Sequence, residues 1–385
     1  MVFAGPAGWE RALTSRIHGN ALVLDTETRR LAPGAAVRRI RGVGRKLARR
    51  GIVPAYFKID STLRGNIVPE AEALRSSTGR RLAWLVPANP AFGRTTIAGR
   101  QYVDGKPIER TGYARDPLHP VKSGDLVGMV SAALGPGTAV TLPERAVRLG
   151  AAHVARLRDG WLRRRIKFIL PDAKSDRDLS GIARCIPDED LVVGAAPLAR
   201  HLIGPGPGRG EAVRFAKASL AGRWLAVIGS LNPLTGKQVS RVENRADTAL
   251  IRLGPSGETR SGAGPGARWT ILTVDTGVFV RRFRLLRGEP ARIAGERLVG
   301  RLARRARKLI ASIRPAGLIL SGGLTAAAVC GEIGIVRFSL AGEPEPGVTV
   351  ARAVRRSGRL WIVTKPGGFG SPGALEKFMD RVGGG

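Results

Sequence analysis

The sequence predicts an α/β protein of two domains, each a sheet flanked by helices. The chain has 385 residues, which is more than one compact core usually spans, and 43% of them are hydrophobic. Short apolar runs alternate with helical patterns along both halves. A Pro/Gly-rich run near residue 205 cannot hold regular structure, so we place a linker at residues 205–211. Residues 1–204 then form the first domain and residues 212–385 the second.

In the first half, buried-type apolar runs are separated by polar turns and helical patterns. Residues 33–50 carry apolar side chains at helical spacing, and residues 67–75 follow with acidic residues in their first turns. Asp104-Gly105 is a strong hairpin signal within residues 101–108. Strands are predicted at residues 21–24, 55–57, 82–87, 166–172 and 191–194.

The second half repeats this alternation. Strands are predicted at residues 224–230, 318–323 and 360–365, a long basic helix at 289–313 and a closing helix at 374–382. The predicted strands all run into polar or glycine-bearing turns. Open α/β sheets bind ligands outside the carboxyl ends of their strands, so these turns are the candidate sites.

The net charge of +34 is unusual, and 53 of the 64 basic residues are Arg. Such a field attracts anions, and it is also compatible with nucleic-acid binding. However, Arg is spread along the whole chain, and aromatic residues, which supply stacking platforms for bases, make up only 5%. We therefore expect no specific nucleic-acid surface, and any such binding should be weak and lost with salt.

The two cysteines, Cys185 and Cys330, lie far apart without metal-ligand spacing. We predict that each is a small buried hydrophobic residue, as in a reducing compartment. The apolar runs are too short to cross a bilayer, and the first 20 residues do not have the pattern of a signal peptide. A cytoplasmic location and no contact with a membrane are expected.

One polar loop, residues 58–66, concentrates chemistry between a predicted strand and a predicted helix. Lys58 and Arg64 could clamp an anion, and Asp60 and Ser61 could bond to the hydroxyl groups of a substrate. The alternative is a capped helix start with solvated basic side chains. The turn after the strand at 21–24 ends in Arg29, and we expect Arg29, Lys58 and Arg64 to lie close together.

Three glycine-bearing junctions follow strands of the second half. They are Gly229-Ser230, Gly322-Gly323 and Gly367-Gly368. Glycines permit close approach of a phosphate, and backbone N–H groups at the helix start after Asn232 would favour it. The alternative at the second junction is a plain helix N-cap by Ser321 or Thr325. No Walker or Rossmann motif is present, so these residues by themselves indicate an anion or nucleotide site.

The chain resembles the four-carbon acid sugar kinase family, whose members phosphorylate threonate, erythronate and oxo-tetronates with ATP. The similar segments appear in the family's order over about residues 19–382. They comprise the turn D-T-E-T-R at 25–29, the loop K-I-D-S-T-L-R-G-N at 58–66, the segment from P-A-F-G-R-T-T to Y-V-D-G at 90–105, G-S-L-N-P-L-T at 229–235, S-G-G-L-T at 321–325 and K-P-G-G-F-G at 365–370.

This resemblance implies a function and a set of site residues. The first domain is expected to bind the sugar acid and the second to bind ATP with Mg²⁺, with transfer in the cleft between them; a homodimer is possible, and the metal ligands are unknown. Asp60 is the implied catalytic residue. The implied substrate residues are Arg29, Lys58, Asp60, Ser61, Thr62 and Arg64. The implied ATP residues are Ser230, Gly322, Gly323, Leu324, Thr325, Gly367 and Gly368.

Two departures from the family pattern leave alternatives open. The family opens with an acidic A-D-D-x-T-G-A loop that is not found after Met1, and Leu324 replaces an acid that follows the glycine pair. A general base typically raises the rate of a reaction by about two to four orders of magnitude. Without the acidic loop, a weakly active or inactive ligand-binding homologue is therefore expected. A kinase for another small sugar acid and an Arg-rich nucleic-acid binder on the same scaffold are the further alternatives.

Overall fold

The structure is a computed structural model that divides the chain into two compact units. The first unit is residues 26–208, and the second unit is residues 209–385 together with residues 1–25. The predicted linker, residues 205–211, and the Asp116-Pro117 pair of the first half lie outside the described residues. The described residues are 2–4, 22–29, 31–115, 120–203, 221–255, 257–264, 266–275, 277–279, 281, 286, 288–335, 337–345, 347–355, 358–367 and 370–383.

The helices and strands have the following bounds, in chain order. Two strands precede the first unit: β1 (Val2–Ala4) and β2 (Val23–Asp25). The strands of the first unit are β3 (Phe57–Lys58), β4 (Ala83–Val86), β5 (Arg94–Ile97), β6 (Arg100–Val103), β7 (Lys106–Pro107), β8 (Ala139–Leu142), β9 (Phe168–Pro171) and β10 (Leu191–Gly194). Its helices are α1 (Pro33–Arg49), α2 (Ile67–Ser77), α3 (Leu126–Leu134), α4 (Glu144–Arg148), α5 (Ala151–Arg163), α6 (Asp176–Cys185) and α7 (Ala196–Ile203).

The elements after residue 208 belong to the second unit. Its further strands are β11 (Trp224–Ile228), β12 (Thr248–Leu253), β13 (Glu258–Gly262), β14 (Trp269–Val274), β15 (Gly317–Ser321), β16 (Arg337–Glu345), β17 (Val348–Arg355) and β18 (Gly358–Lys365). Its helices are α8 (Pro233–Ser240), α9 (Gly288–Ile313), α10 (Gly323–Glu332) and α11 (Ala374–Gly383).

The first unit is built on a parallel sheet with strand order β3-β10-β4-β9-β8. Successive side chains of a strand point to opposite faces, and β4 shows this directly. Ala83 and Leu85 pack in one core with helices α1 to α3, whereas Trp84 and Val86 pack in another with α4 to α7. Both faces are therefore covered, as a parallel sheet requires.

The first unit also contains a small antiparallel sheet, β5-β6-β7, whose strands come between β4 and β8 in the chain. The predicted hairpin is confirmed, because Val103 pairs with Lys106 around Asp104-Gly105. Both turn residues have positive φ, 49° and 75°, which is the backbone of a two-residue type I′ turn.

The second unit contains a ten-stranded mixed sheet. Five of its strands are parallel, in the order β12-β14-β11-β15-β18. Leu225 and Val227 face the core that contains α9 and α10, while Ala226 and Ile228 face the core that contains α8 and α11. Each unit is thus a sheet with helices on both faces, and the predicted α/β class is confirmed.

The N-terminal strands differ from the prediction. A buried strand at residues 21–24 was expected in the first domain. Instead β2 is an edge strand in which Val23 is 50% exposed, and it pairs only with β1 among the described strands. β1 pairs with β16, so residues 1–25 group with the second unit. The antiparallel β16–β17 hairpin was not predicted either.

Both cysteines are buried and unpaired, which confirms their predicted role as small buried side chains. Burial raises the pKa of the Cys330 thiol to about 11, so it is not a reactive thiolate. Among the helices that the structure describes, none is both long and apolar enough to cross a membrane.

Candidate functional site

The loop that follows β3 is tightly wound. Leu63 donates its backbone N–H to the carbonyl of Asp60 at 3.1 Å. Leu63 is buried and has a φ of +57°, which lies in the left-handed region. This conformation is energetically unfavourable for any residue except glycine, and it persists only where the surrounding structure holds it. Its buried side chain anchors the loop between the polar residues on either side of it.

Asp60 is the centre of this loop. Its Oδ1 accepts hydrogen bonds from the backbone N–H and the hydroxyl of Thr62, at 2.9 and 2.7 Å. Its Oδ2 accepts from Nε of Arg64 at 3.0 Å and lies 2.8 Å from Nη2 of the same guanidinium. Nη1 of Arg29 lies 3.5 Å from the same oxygen. Burial by itself would raise the pKa of Asp60, but Arg64, Thr62 and Arg29 together lower that pKa below its usual value.

Arg29 reaches this centre because its turn is fastened to helix α2. The Thr28 hydroxyl donates to the buried carboxyl of Glu70 at 2.7 Å, and Asn66 donates to the carbonyl of Leu31 at 2.9 Å. Gly65 has a φ of +97°, and a Cβ added there would lie 3.4 Å from Cγ of Arg29. The distance is an ordinary contact, so the positive φ rather than lack of space favours glycine at this point.

Arg29, Asp60, Thr62 and Arg64 form what we call the Asp60 cluster. Of the other predicted substrate residues, Lys58 ends β3 with an exposed side chain, and Ser61 accepts a bond from Gln101 Nε2 at 3.0 Å through its carbonyl. The carboxylate of Asp60 is occupied by Thr62 and the two arginines, which suits the positioning of cations better than the abstraction of a proton. Its assignment as the catalytic residue stays a prediction.

Two side chains of this region were not predicted as site residues. Tyr113 places its ring under the guanidinium of Arg64, 5.4 Å from Cζ to the ring centre, and its hydroxyl accepts from Arg94 at 2.9 Å. Gln101 is buried and holds the loop through Ser61. Neither follows a strand of the main sheet, so the strand-end rule that located the other residues could not find them.

In the second unit, the three predicted glycine-bearing junctions follow adjacent strands. Ile228, the last residue of β11, is paired with Ser321 of β15, and Ser321 with Lys365 of β18. The carboxyl ends of these parallel strands therefore lie side by side. We call the residues around them, 229–235, 322–325 and 366–367, the strand-end loops.

Hydrogen bonds connect the strand-end loops. The Thr235 hydroxyl donates to the carbonyl of Gly367 at 2.6 Å and lies 3.1 Å from Oγ of Ser230. Gln238 donates to the carbonyl of Ser371 at 2.8 Å. A Cβ at Gly367 would lie 1.9 Å from Oγ of Ser230, so only glycine allows this approach. The predicted ATP residue Gly368 lies outside the described residues.

Helix α10 begins in an arrangement that suits an anion. Gly322 occupies the N-cap position with a φ of +100°, and no side chain caps the helix. The alternative of an N-cap by Ser321 or Thr325 is therefore wrong. Thr325 is buried against Gly229, whereas Leu324 is 43% exposed in the first turn. Backbone N–H groups of an uncapped helix start are donors for phosphate.

Helix α8 differs from the expectation. Its N-cap, Asn232, accepts from the backbone N–H of Leu234 at 2.9 Å, and Pro233 in the first turn has no N–H. The sequence suggested backbone donors for phosphate at this helix start. Side-chain capping and proline leave fewer of them at α8 than at the uncapped start of α10.

A cavity of about 250 Å³ lies beside Ser230, between the ends of β11 and β14. Asp275 is the one carboxylate among the described residues that line it, and its Oδ1 accepts from the backbone N–H of Val278 at 3.1 Å. Asp275 directly follows β14, so the strand-end rule could have found it. No group of three or more His, Cys, Asp or Glu residues that could hold a metal occurs among the described residues.

Lys365 is a buried ammonium group at the end of β18, only 7% exposed. Its Nζ donates to the carbonyl oxygens of Pro366 at 3.1 Å and Gly367 at 3.5 Å, so it shapes the third strand-end loop. Burial lowers the pKa of Lys365 from its ordinary value to about 8.

The charge on Lys365 is expected to destabilise the fold. Since its folded pKa is about 8 and its unfolded pKa is about 10.4, the unfolded state binds more protons between these values, and stability rises with pH there. Lys365→Met should therefore be more stable than the parent at pH 7, by on the order of 1 to 3 kcal/mol, and this advantage should shrink towards pH 10. Thermal unfolding at several pH values measures it.

The matched control is Lys377→Met on the exposed side of α11. This surface change should alter stability by no more than about 0.5 kcal/mol at any pH. A Lys365→Met variant that is less stable than the parent at pH 7 would show that the two carbonyl contacts outweigh the desolvation of the ammonium group.

Known proteins resemble both units. Two family models match the chain: a sugar-binding N-terminal domain over residues 6–202 and a nucleotide-binding C-terminal domain over residues 277–375. A D-threonate kinase of Cupriavidus necator is 32% identical over 97% of this chain and 89% of its own length. A 3-oxo-tetronate kinase of Methylobacterium radiotolerans is 29% identical over 94% of this chain and 89% of its own.

Solved structures show the same fold. A putative tRNA synthase of Salmonella typhimurium superposes with a TM-score of 0.71 at 21% identity, covering 96% of this chain and 92% of its own. Protein HI1011 of Haemophilus influenzae superposes with a TM-score of 0.68 at 20% identity, covering 99% and 93%.

A sugar-binding domain followed by a nucleotide-binding domain is the architecture of a kinase for a sugar-type substrate. The chain belongs to the four-carbon acid sugar kinase family, with relatives about 30% identical over most of its length. The resemblance found in the sequence is thereby confirmed. Kinase function at the level of the family follows from this membership.

Proposed function

We propose that this protein transfers the γ-phosphoryl group of ATP to a hydroxyl group of a four-carbon sugar acid, such as threonate, erythronate or an oxo-tetronate. The observation that carries the proposal is the convergence of three glycine-bearing loops at the adjacent ends of β11, β15 and β18. Phosphate groups need this combination of close backbone approach and unused N–H donors. The names of the relatives support the choice of acid.

In this proposal the strand-end loops bind the phosphates of ATP. The uncapped first turn of α10, from Gly322 to Thr325, supplies backbone donors, and Leu324 contributes its N–H rather than its side chain. Ser230 supplies a hydroxyl group, which Thr235 positions. Gly367, and Gly368 beyond the described residues, would let the third loop close on the nucleotide.

The Asp60 cluster would bind the sugar acid. Arg64 and Arg29 present two guanidinium groups, which suit a carboxylate geometrically and electrostatically. Asp60 contacts both of them, and Arg64, Thr62 and Arg29 together lower the pKa of Asp60. Lys58 and Ser61 would contact the hydroxyl groups or the transferred phosphoryl group. Phosphoryl transfer depends mainly on positioning and charge neutralisation, which these residues provide.

Mg²⁺ is the expected partner of ATP, and the residues present fit it in one place. Nucleotide-bound Mg²⁺ keeps several waters and takes one or two protein carboxylates. Asp275 lines the cavity beside Ser230 and has one carboxylate oxygen beyond the one bonded to Val278. In this proposal Asp275 holds the metal, which would neutralise charge on the phosphates.

The proposal is tested with purified protein, ATP and a panel of threonate, erythronate and 3-oxo-tetronate. We expect ADP formation that depends on one of these acids, with a phosphate monoester as the second product by ³¹P NMR. The matched variants are Ser230→Ala, which should lower activity, and Ser312→Ala on α9, which should not. Nucleotide binding without turnover of any acid would favour the inactive homologue, and no nucleotide binding would contradict the proposal.

A further inference from the structure

A second cavity lies in the first unit, at the small β5-β6-β7 sheet. Its volume is about 460 Å³, in the range of small-molecule sites. We call it the hairpin pocket, because it is lined by the β6–β7 hairpin and the turns that follow. The described residues that line it are Arg94, Val103, Asp104, Lys106, Arg110, Thr111, Gly112 and Tyr113.

The charge of the hairpin pocket is strongly positive. Arg94, Lys106 and Arg110 contribute three positive charges and Asp104 one negative charge, which leaves +2. Lys106 and Arg110 form no ion pair within the described part of the chain, whereas their neighbours Arg100 and Glu109 pair with each other. Like charges collected at one cavity repel each other, and an anion would relieve that repulsion.

One side of the hairpin pocket is fixed by contacts of Tyr113, whereas Lys106 and Arg110 on the other side are exposed. Arg94 donates through Nη2 to the Tyr113 hydroxyl at 2.9 Å and through Nη1 to the carbonyl of Phe92, so its guanidinium is held in place. The other partner of Tyr113 is Arg64, whose guanidinium lies over the ring. The pocket is thereby connected to the Asp60 cluster through one aromatic ring.

We propose that the hairpin pocket is a binding site for a phosphate group. A phosphate carries a charge of −1.5 to −2 at neutral pH, which matches the charge of the lining, and its oxygens can accept from several cations at once. The phosphate is either inorganic phosphate or the phosphoryl group of a small phosphorylated acid. This site goes beyond the proposed transfer reaction and does not depend on it, since no nucleotide is needed to fill it.

The test compares phosphate binding to three forms of the full chain by calorimetry at low ionic strength. Lys106→Gln with Arg110→Gln removes two charges from the pocket. Arg163→Gln with Arg164→Gln removes two exposed charges at the end of α5 and controls for the net charge of the chain. We expect inorganic phosphate to bind the parent and the control alike, and the pocket variant at least about tenfold more weakly.

Two further probes identify the source of the phosphate. A four-carbon acid and its phosphate monoester are titrated into the same three forms. An Arg64→Met variant is added as a fourth form. If the monoester loses affinity in both the pocket variant and Arg64→Met, the site takes the phosphoryl group of a phosphorylated acid. If inorganic phosphate alone is affected by the pocket variant, the site takes the free ion. Equal binding of every probe to the parent and to the pocket variant would overturn the proposal.

Discussion

Replacing Arg64 with Met is expected to lower kcat/KM of the sugar-acid kinase reaction by about 10² to 10³. Arg64 makes two contacts with Asp60, at 3.0 and 2.8 Å, and is the more buried cation of the Asp60 cluster, with a side chain 24% exposed against 50% for Arg29. Its loss removes a positive charge from the proposed carboxylate site. It also leaves Asp60 facing only the more distant Arg29.

A graded series separates binding from folding. Arg64→Lys keeps the charge but cannot form two parallel bonds with Asp60, so its loss of kcat/KM should be intermediate. Arg163→Met, an exposed change on α5, should retain full activity. Melting temperatures are measured alongside. If Arg64→Met kept the parent activity, or lost activity only in proportion to a lower melting temperature, the Asp60 cluster would not be the acid-binding site.

Replacing Gly367 with Ala is expected to weaken ATP binding by about two orders of magnitude, or about 3 kcal/mol. The new Cβ would lie 1.9 Å from Oγ and 2.6 Å from Cβ of Ser230. These distances are far below van der Waals contact, so two of the strand-end loops must separate. Binding of a non-hydrolysable ATP analogue by calorimetry measures the effect.

Two variants test whether the contact with Ser230 is the cause. Gly331→Ala on α10 is the matched control, because a Cβ there meets nothing within 4 Å and Ala favours the helix. It should bind nucleotide like the parent. Ser230→Gly removes the atoms that the new Cβ meets, so the melting temperature of the double variant should return to that of Ser230→Gly alone. If the melting temperature does not recover in the double variant, the contact with Ser230 is not the cause of the effect of Gly367→Ala.

The main architecture could be predicted because its signals are local. The strand β10 was predicted with its observed bounds, Leu191–Gly194, since three buried apolar residues end at a glycine before a helix. The Asp104-Gly105 hairpin was predicted because its turn chemistry permits one geometry. By contrast, β1 escaped the prediction, since it is three residues long and pairs with β16, a strand distant in sequence. β2 was predicted as a strand, but its place at the edge of the second unit's sheet was not.

The sequence by itself determined which residues of this protein stand at strand ends: Arg29, Asp60 and Arg64 in one half, and Ser230, Gly322 and Gly367 in the other. The location of transfer in a cleft between domains, the absence of a specific nucleic-acid surface, and a homodimer stay predictions.

Only the tertiary structure decided which of those residues lie together and what they contact. Strand order brings the ends of β11, β15 and β18 together, although 93 residues separate Ile228 from Ser321 in the chain. Packing placed Tyr113 under Arg64, and Asn232 caps the start of α8, whereas no side chain caps the start of α10. Hydrogen bonds from Thr62 and Arg64 engage both carboxylate oxygens of Asp60, and its assignment as the catalytic residue stays a prediction. Such choices rest on contacts between distant segments, and a linear pattern does not contain them.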